Sequence, residues 1–528
     1  MKRKLIKKAT TGLLLTGLAA TALAGCSSGG TTDGSGGGKA SGKGKPTNVT
    51  MLVLGDKPTN GRLENMLDVL NEKLTDKVNA TLDLHYVEWA DWQTQYNVEL
   101  LSGDGSVDLI TTATDWLYGW ENAQKGAFLP LTEEILKENA PKTWEQVSAD
   151  GNWDLTKLED GNIYFVPEDS YTQYTNHGFF YRGDWAKEAG LANGEVTKFD
   201  DLTKYFEYVL ANKEDVVPWE TNNPAGAIDA YVKGNYDYRT LIGVNVGNYE
   251  MWQTTASEPY KITSYLMEGD ALKKAAAEAK KWNDMGVWRE DVLNFTGDSR
   301  DLFYNGQAAV DQHHTQTFLS QIVYNMGTKQ PGSDVKMYYY GQENNNIARD
   351  LKTHGAMAIS ASSKNPEVAL QVYDLLRNDE ECYRLINYGI EEVDYVVTED
   401  GKLDYPEGYD PSTDGLGSNF WAGRMDKFEL DKATDAPNKA EIYAALDEIS
   451  HNYEFENLIF NKDTIESSQS AMASVLSTYM PQLQAGKFAD PSAEIDKMRE
   501  ELKTAGYEEV LASLQADMDA FVQQQGLK

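Results

Sequence analysis

Residues 47–56 read TNVTMLVLGD, residues 80–89 read ATLDLHYVEW and residues 107–111 read VDLIT. The first is an apolar run closed by Gly55-Asp56-Lys57-Pro58, the composition of a strand buried on both faces that ends in a turn. Between the first and second runs, Leu63, Met66, Leu67, Leu70 and Leu74 recur at helical spacing, and residues 91–101 are helical again before the third. Strand, helix, strand, helix, strand needs crossover connections, so the pattern predicts a parallel sheet with flanking helices. Ligands in such sheets sit beyond the carboxyl ends of the strands, near a switch in strand order. That rule points to residues 55–60, 89–92 and 111–120.

Upstream, residues 1–8 are basic and residues 9–24 are apolar and small, the layout of a secretory signal. The apolar run is interrupted by Gly12 and Gly17 and is shorter than the roughly 20 residues of a membrane-spanning helix. Leu23-Ala24-Gly25-Cys26 resembles the lipobox of bacterial lipoproteins, which implies removal of residues 1–25 and a lipid on Cys26. Residues 26–45 are nearly all Gly, Ser, Thr and Lys, a flexible tether reaching roughly 25 Å.

Downstream, helices are predicted at 200–213, 271–285 and 365–376, and the tail from 440 to 528 reads as helical with breaks at Pro481, Gly486, Pro491 and Gly506. No repeat with a period of 20 to 50 residues occurs, which excludes solenoids and propellers. The 528 residues are 41% hydrophobic and 25% charged, enough to bury a large core. Lys and Arg number 48 against 83 Asp and Glu, a formal charge of −35, and losing the five basic residues of the signal would take it to −40. A surface that acidic repels phosphate, so nucleic acid is not an expected partner.

Several short motifs then fall in a recognisable order: Val107-Asp-Leu-Ile110 with Gly126-Ala-Phe-Leu-Pro-Leu131, Gly161-Asn-Ile-Tyr-Phe-Val-Pro167, Phe180-Tyr-Arg-Gly-Asp-Trp185 with Ala189-Gly-Leu191, Phe303-Tyr-Asn-Gly-Gln-Ala-Ala309, and Ala358-Ile-Ser360 with Lys364-Asn-Pro-Glu367. Together they resemble an extracellular solute-binding lipoprotein of an ABC importer, of the carbohydrate (family 1-like) class, in a Gram-positive subgroup with an added helical C-terminal region. That resemblance implies a two-lobed α/β fold of the periplasmic-binding-protein type II kind, each lobe a mainly parallel sheet with flanking helices, and a ligand cleft between the lobes. The lobes are expected over 46–167 with about 352–395, and over 168–351 with about 396–528. It further implies a monomer on the outer face of the cell membrane, serving the transmembrane subunits of the importer. The subgroup follows Gly389-Ile390-Glu391 with Gly and an aromatic, whereas this chain has Glu392-Val393, so no ligand role is carried over to Glu391.

A sugar offers flat C–H faces and a ring of hydroxyls, and its sites combine aromatic platforms with polar hydrogen-bonding groups. The chain carries 12 Trp, 30 Tyr and 15 Phe. Asp115, Trp116 and Trp120 follow the third strand, where family members contact ligand; packing of these aromatics in the core is the competing reading, stronger for Trp120. His313 and His314 end a strand at another expected contact, or cap a helix; adjacent strand residues point oppositely, and no HExxH occurs, so no metal is expected. Trp421 sits where related binders carry a stacking tryptophan. Trp219, Tyr236, Tyr238 and Trp252 are candidates for the distal cleft, and Tyr171 for the hinge. The Asp-rich loops 150–154 and 410–415 lack the Glu of an EF-hand.

No nucleophile elbow, P-loop or dinucleotide fingerprint appears, so no cofactor is expected. A surface glycosidase, needing two carboxylates across one sugar, remains the enzymatic rival. The non-sugar alternatives are a peptide, which would need fixed charges for its ammonium and carboxylate, and a polyamine, which the acidic balance suits; the aromatic surplus favours a neutral oligosaccharide over both. The expected function is capture of an oligosaccharide for import.

Overall fold

The computed structural model describes residues 44–169, 174, 177–410, 413–462 and 464–527. The signal, Cys26, nearly all of the tether and Tyr171 lie outside the described residues.

β1 (Thr47–Leu54), β2 (Ala80–Val87) and β3 (Leu109–Thr112) pair in parallel with β1 central, and β11 (Ala356–Ile359) adds antiparallel to β3, giving the order β11-β3-β1-β2. The continuous apolar run of β1 follows from coverage on both sides. Val49, Met51 and Val53 pack against helices Arg62–Val78, Pro366–Asn378 and Glu380–Tyr388, while Leu52 and Leu54 face Tyr96, Trp120 and Phe165. Leu416, Phe420 and Ala422 join the first of these cores, so this lobe extends well past the boundary near 395 expected from sequence. The buried Arg377 donates to the Pro167 carbonyl (2.6 Å) and to Gln146 Oε1 (2.6 Å), fastening the chain where it leaves the lobe.

The second lobe holds β4 (His177–Arg182), β5 (Val217–Trp219), β8 (Ala308–His314) and β9 (Val335–Tyr339) in the order β5-β8-β4-β9. Here β5 and β8 are parallel, but β4 runs antiparallel to both β8 and β9, where mainly parallel pairing was expected. Alternation along β4 sends Phe179 and Tyr181 to one core and Phe180 to the other. A short hairpin, β6 (Tyr238–Thr240) with β7 (Gln253–Thr255), leads into a third core. In that core, helices Glu466–Gln484, Pro491–Thr504 and Tyr507–Gln525 pack on Ala271–Met285 and on Leu241, Trp252 and Leu266. Pro481, expected to break the tail, lies inside the first of these helices; Gly486 and Gly506 do fall between helices, and Pro491 opens the second.

The outgoing and returning connections run beside each other. Val166 bridges Met357, the Glu168 N–H donates to the Lys352 carbonyl (2.9 Å), and Tyr174 bridges Arg349, all antiparallel. β10 (Ile347–Ala348), at the start of the return, pairs with Ser450–His451.

Candidate functional site

A cavity of about 480 Å³ opens between the lobes. The first lobe supplies Asp115 and Trp116 from the loop after β3; the return connection supplies Asp350 and His354; the second lobe supplies His177, Tyr238, His314 and Tyr340.

The loop after β3 explains why two tryptophans four residues apart part company. The Gly119 N–H donates to the Ala113 carbonyl (2.9 Å), a Cβ on Gly119 would stand 2.8 Å from that oxygen, and Tyr118 takes φ 54°. The chain therefore reverses before the helix Gly119–Gln124 begins. Trp116 is left on the cavity wall with its indole N–H on the His354 carbonyl (3.1 Å), while Trp120 turns inward onto Phe165 (ring centroids 4.9 Å). Trp120 is thus a core residue. From Trp116 an indole cluster runs outward: Trp92 meets it edge-on at 5.6 Å, and Trp89 and Trp421 lie at 6.3 and 6.1 Å and stack on each other at 5.7 Å. Trp89 and Trp421 are 43% and 37% exposed, so part of each indole beyond their mutual stack is open to solvent.

At the floor, His354 Nδ1 lies 2.7 Å from Asp115 and 3.3 Å from Asp350. Burial opposes charge on the imidazole most strongly, yet the two carboxylates hold its pKa up to about 10. Burial pushes Asp350 up to about 6 and the neighbouring Glu168 to about 8. The ligand atoms of Asp115, Asp350 and His354 lie within 4.8 Å of one another, spacing that would suit a cation, but the imidazolium already stands between the carboxylates. Across the cavity Lys233 pairs with Glu250 (3.4 Å) and Arg239 with Glu454 (3.3 Å). The cavity is therefore polar, and each of these charges already has an oppositely charged partner.

His314 reaches the cavity and caps the following helix, accepting from the Thr317 N–H (3.3 Å). His313 lies outside this cavity, bonded to Thr317 Oγ1 (3.0 Å). Burial pushes His314 down to about 4 and His313 to about 3, so both rings are neutral. Trp219 and Trp252 are fully buried, packed on Phe179 (4.8 Å) and Tyr507 (5.4 Å); both belong to cores rather than to the cleft. Tyr238 lines the cavity, whereas Tyr236 sits behind it with its hydroxyl on Asp270 (3.3 Å). Sequence reasoning missed Asp350, His354 and His177. The i, i+4 spacing of Asp350 and His354 was a signal for the first two, and the strand-end rule had reached Trp89 without singling it out.

The profile of the family "Bacterial extracellular solute-binding protein" matches residues 64–381, and "Domain of unknown function (DUF3502)" matches residues 455–523. A carbohydrate ABC transporter substrate-binding protein of Streptococcus pneumoniae serotype 4 is 25% identical over 499 residues, 92% of this chain and 93% of its own. Among solved structures, the N-glycan transport solute binding protein of Streptococcus pneumoniae superposes with TM-score 0.69 at 20% identity, covering 91% of this chain and all of that one; it has also been solved with Man–GlcNAc glycans. The S. pneumoniae substrate-binding protein FusA with kestose gives TM-score 0.63 at 16% identity, covering 90% of this chain and all of that one. These likenesses establish the two-lobed fold.

Proposed function

The chain belongs to the bacterial extracellular solute-binding protein family, and on that premise we propose that it captures an oligosaccharide between its lobes and delivers it to an ABC importer. The observation that carries this reading is the open indole cluster of Trp89, Trp116 and Trp421 beside a cavity whose other wall offers Tyr238, Asn346 and Asn452. Indole faces match the C–H faces of pyranose rings, and the amides match their hydroxyls. A peptide or amino acid would need an uncommitted cation and carboxylate. Here Asp115 and Asp350 are held by His354, Lys233 by Glu250 and Arg239 by Glu454, which favours a neutral sugar. The carbohydrate-transport relative and the glycan and kestose complexes support the same class of cargo.

Ligand touching both walls stabilises the closed arrangement by its differential affinity, and the closed arrangement is what an importer would engage. The role is binding without catalysis, by a monomer held through lipid on Cys26 at the outer face of the cell membrane. Replacing Cys26 by Ala should move the protein from the membrane fraction to the medium; retention in the membrane would remove the anchor.

A thermal-shift screen of residues 46–528 tests the cargo. A saccharide at one hundred times its Kd should stabilise by about 2.7 kcal/mol and be recovered uncleaved. Cleavage products would establish a glycosidase instead, and shifts only with amino acids, peptides or polyamines would remove the sugar.

A further inference from the structure

A second compartment of about 520 Å³ adjoins the cleft, and His177, Glu250 and Tyr340 form the wall common to both. Its near side is the turn Asn222–Gly226 that opens the helix Gly226–Asn235, and its far side is Met480, Pro481 and Gln484 of the helix Glu466–Gln484. The near side is set tightly against the common wall. Tyr340 Oη donates to Gln312 Oε1 (3.0 Å), and a Cβ on Gly226 would stand 2.3 Å from that hydroxyl and 2.5 Å from Gln312 Oε1. The shape is thus fixed by backbone and side chains together, as in a preformed site.

Its chemistry repeats that of the cleft. Asn222, Asn248 and Gln484 each present a donor and an acceptor, Tyr249 and Tyr265 add aromatic surface, and Leu266 and Pro481 add apolar surface. Charge is partnered here too, with Lys233 placed near both Asp229 and Glu250. Each compartment falls within the roughly 300–1,000 Å³ of ordinary small-molecule sites, and joined at Tyr340 they exceed the needs of one or two sugar rings.

We propose that the second compartment is a subsite for the sugar units that extend past Tyr340, so that the C-terminal helical module sets the length of oligosaccharide accepted. The inference rests on the sugar-capture reading above. The matched module, residues 455–523, contributes Phe455 to the first compartment and Met480, Pro481 and Gln484 to the second, so its helices are binding walls as well as packing partners.

Titration calorimetry with a graded series of two to six units, beginning with kestose, fructo-nystose and Man–GlcNAc glycans, tests it. Affinity should rise at least about tenfold from the shortest to the longest binding member. Ala225→Trp, which fills the compartment from the turn, and the double variant Asn222→Ala/Asn248→Ala, at two exposed positions, should each abolish that gain while leaving the shortest ligand within about twofold. Unfolding temperatures close to wild type verify folding. Affinity that stops rising at two units, or variants that bind every length as wild type does, would overturn the subsite alone. Failure of every saccharide in a broad panel would overturn sugar capture itself, and the subsite with it.

Discussion

Replacing His354 by Gln keeps a donor beside Asp115 and removes the positive charge between two carboxylates. The wild-type imidazole titrates near 10 against about 6.5 in an unfolded chain. At about 1.4 kcal/mol for each tenfold change in proton affinity, that difference corresponds to at most about 5 kcal/mol. The side chain is 30% exposed, so solvent screening lowers the expected figure to about 2–3 kcal/mol. The sign follows from a folded-state pKa raised above the unfolded one. The contribution is full below about pH 6.5 and is lost as pH climbs through about 10. Glu168, raised by burial to about 8, and Asp350, raised to about 6, also make stability fall with rising pH, but over lower windows. Comparing wild type with His354→Gln between pH 8 and 10 therefore isolates the histidine. Urea unfolding should give the variant a deficit of about 1–2 kcal/mol at pH 8 that shrinks towards zero at pH 10. A deficit equal at pH 8 and pH 10 would refute the placement of an imidazolium between Asp115 and Asp350.

Three further outcomes follow from the same geometry. Trp116→Ala or Trp421→Ala should each weaken saccharide binding by about 1–3 kcal/mol in calorimetry with little change in unfolding temperature, whereas Trp120→Ala should cost about 3–5 kcal/mol of stability; the reverse pattern would exchange their assignments. Gly226→Ala should destabilise by about 1–3 kcal/mol in denaturant unfolding, because its Cβ meets Tyr340 and Gln312; a stability equal to wild type would show that this wall yields. Cys382 is buried and burial pushes its thiol up to about 12, so a thiol reagent should modify it only as fast as the chain unfolds; modification as fast as that of a free thiol would show the helix Glu380–Tyr388 opening in the native protein.

The first lobe was legible because β1, covered on both sides, reads as an uninterrupted apolar run and β2, at the sheet edge, as an alternating one, patterns that local sequence reports directly. The direction of β4 was not, since antiparallel pairing with β8 and β9 is decided by residues more than a hundred positions away. Among the site residues, Trp116 and Trp120 carry the same local signal, and only the reversal at Tyr118 and Gly119 separates wall from core. Trp219 and Trp252 failed for a related reason. Their segments look irregular in sequence, yet each tryptophan is wrapped by helices contributed from elsewhere in the chain. His354 and Asp350 lie in a connection with no periodicity, so their partner Asp115, 239 residues upstream of His354, could be found only in three dimensions.

The paired connections between the lobes restrict how the molecule can move. The outgoing and returning connections are bonded from Glu168 to Lys352 and bridged at Tyr174 and Arg349, and sliding one along the other would break those contacts together. Flexing across the paired connections leaves them intact. With Arg377 clamping the Pro167 carbonyl, the outgoing connection is tied to the first lobe, and bending across the paired connections, rather than sliding along them, is the motion that would open or shut the gap.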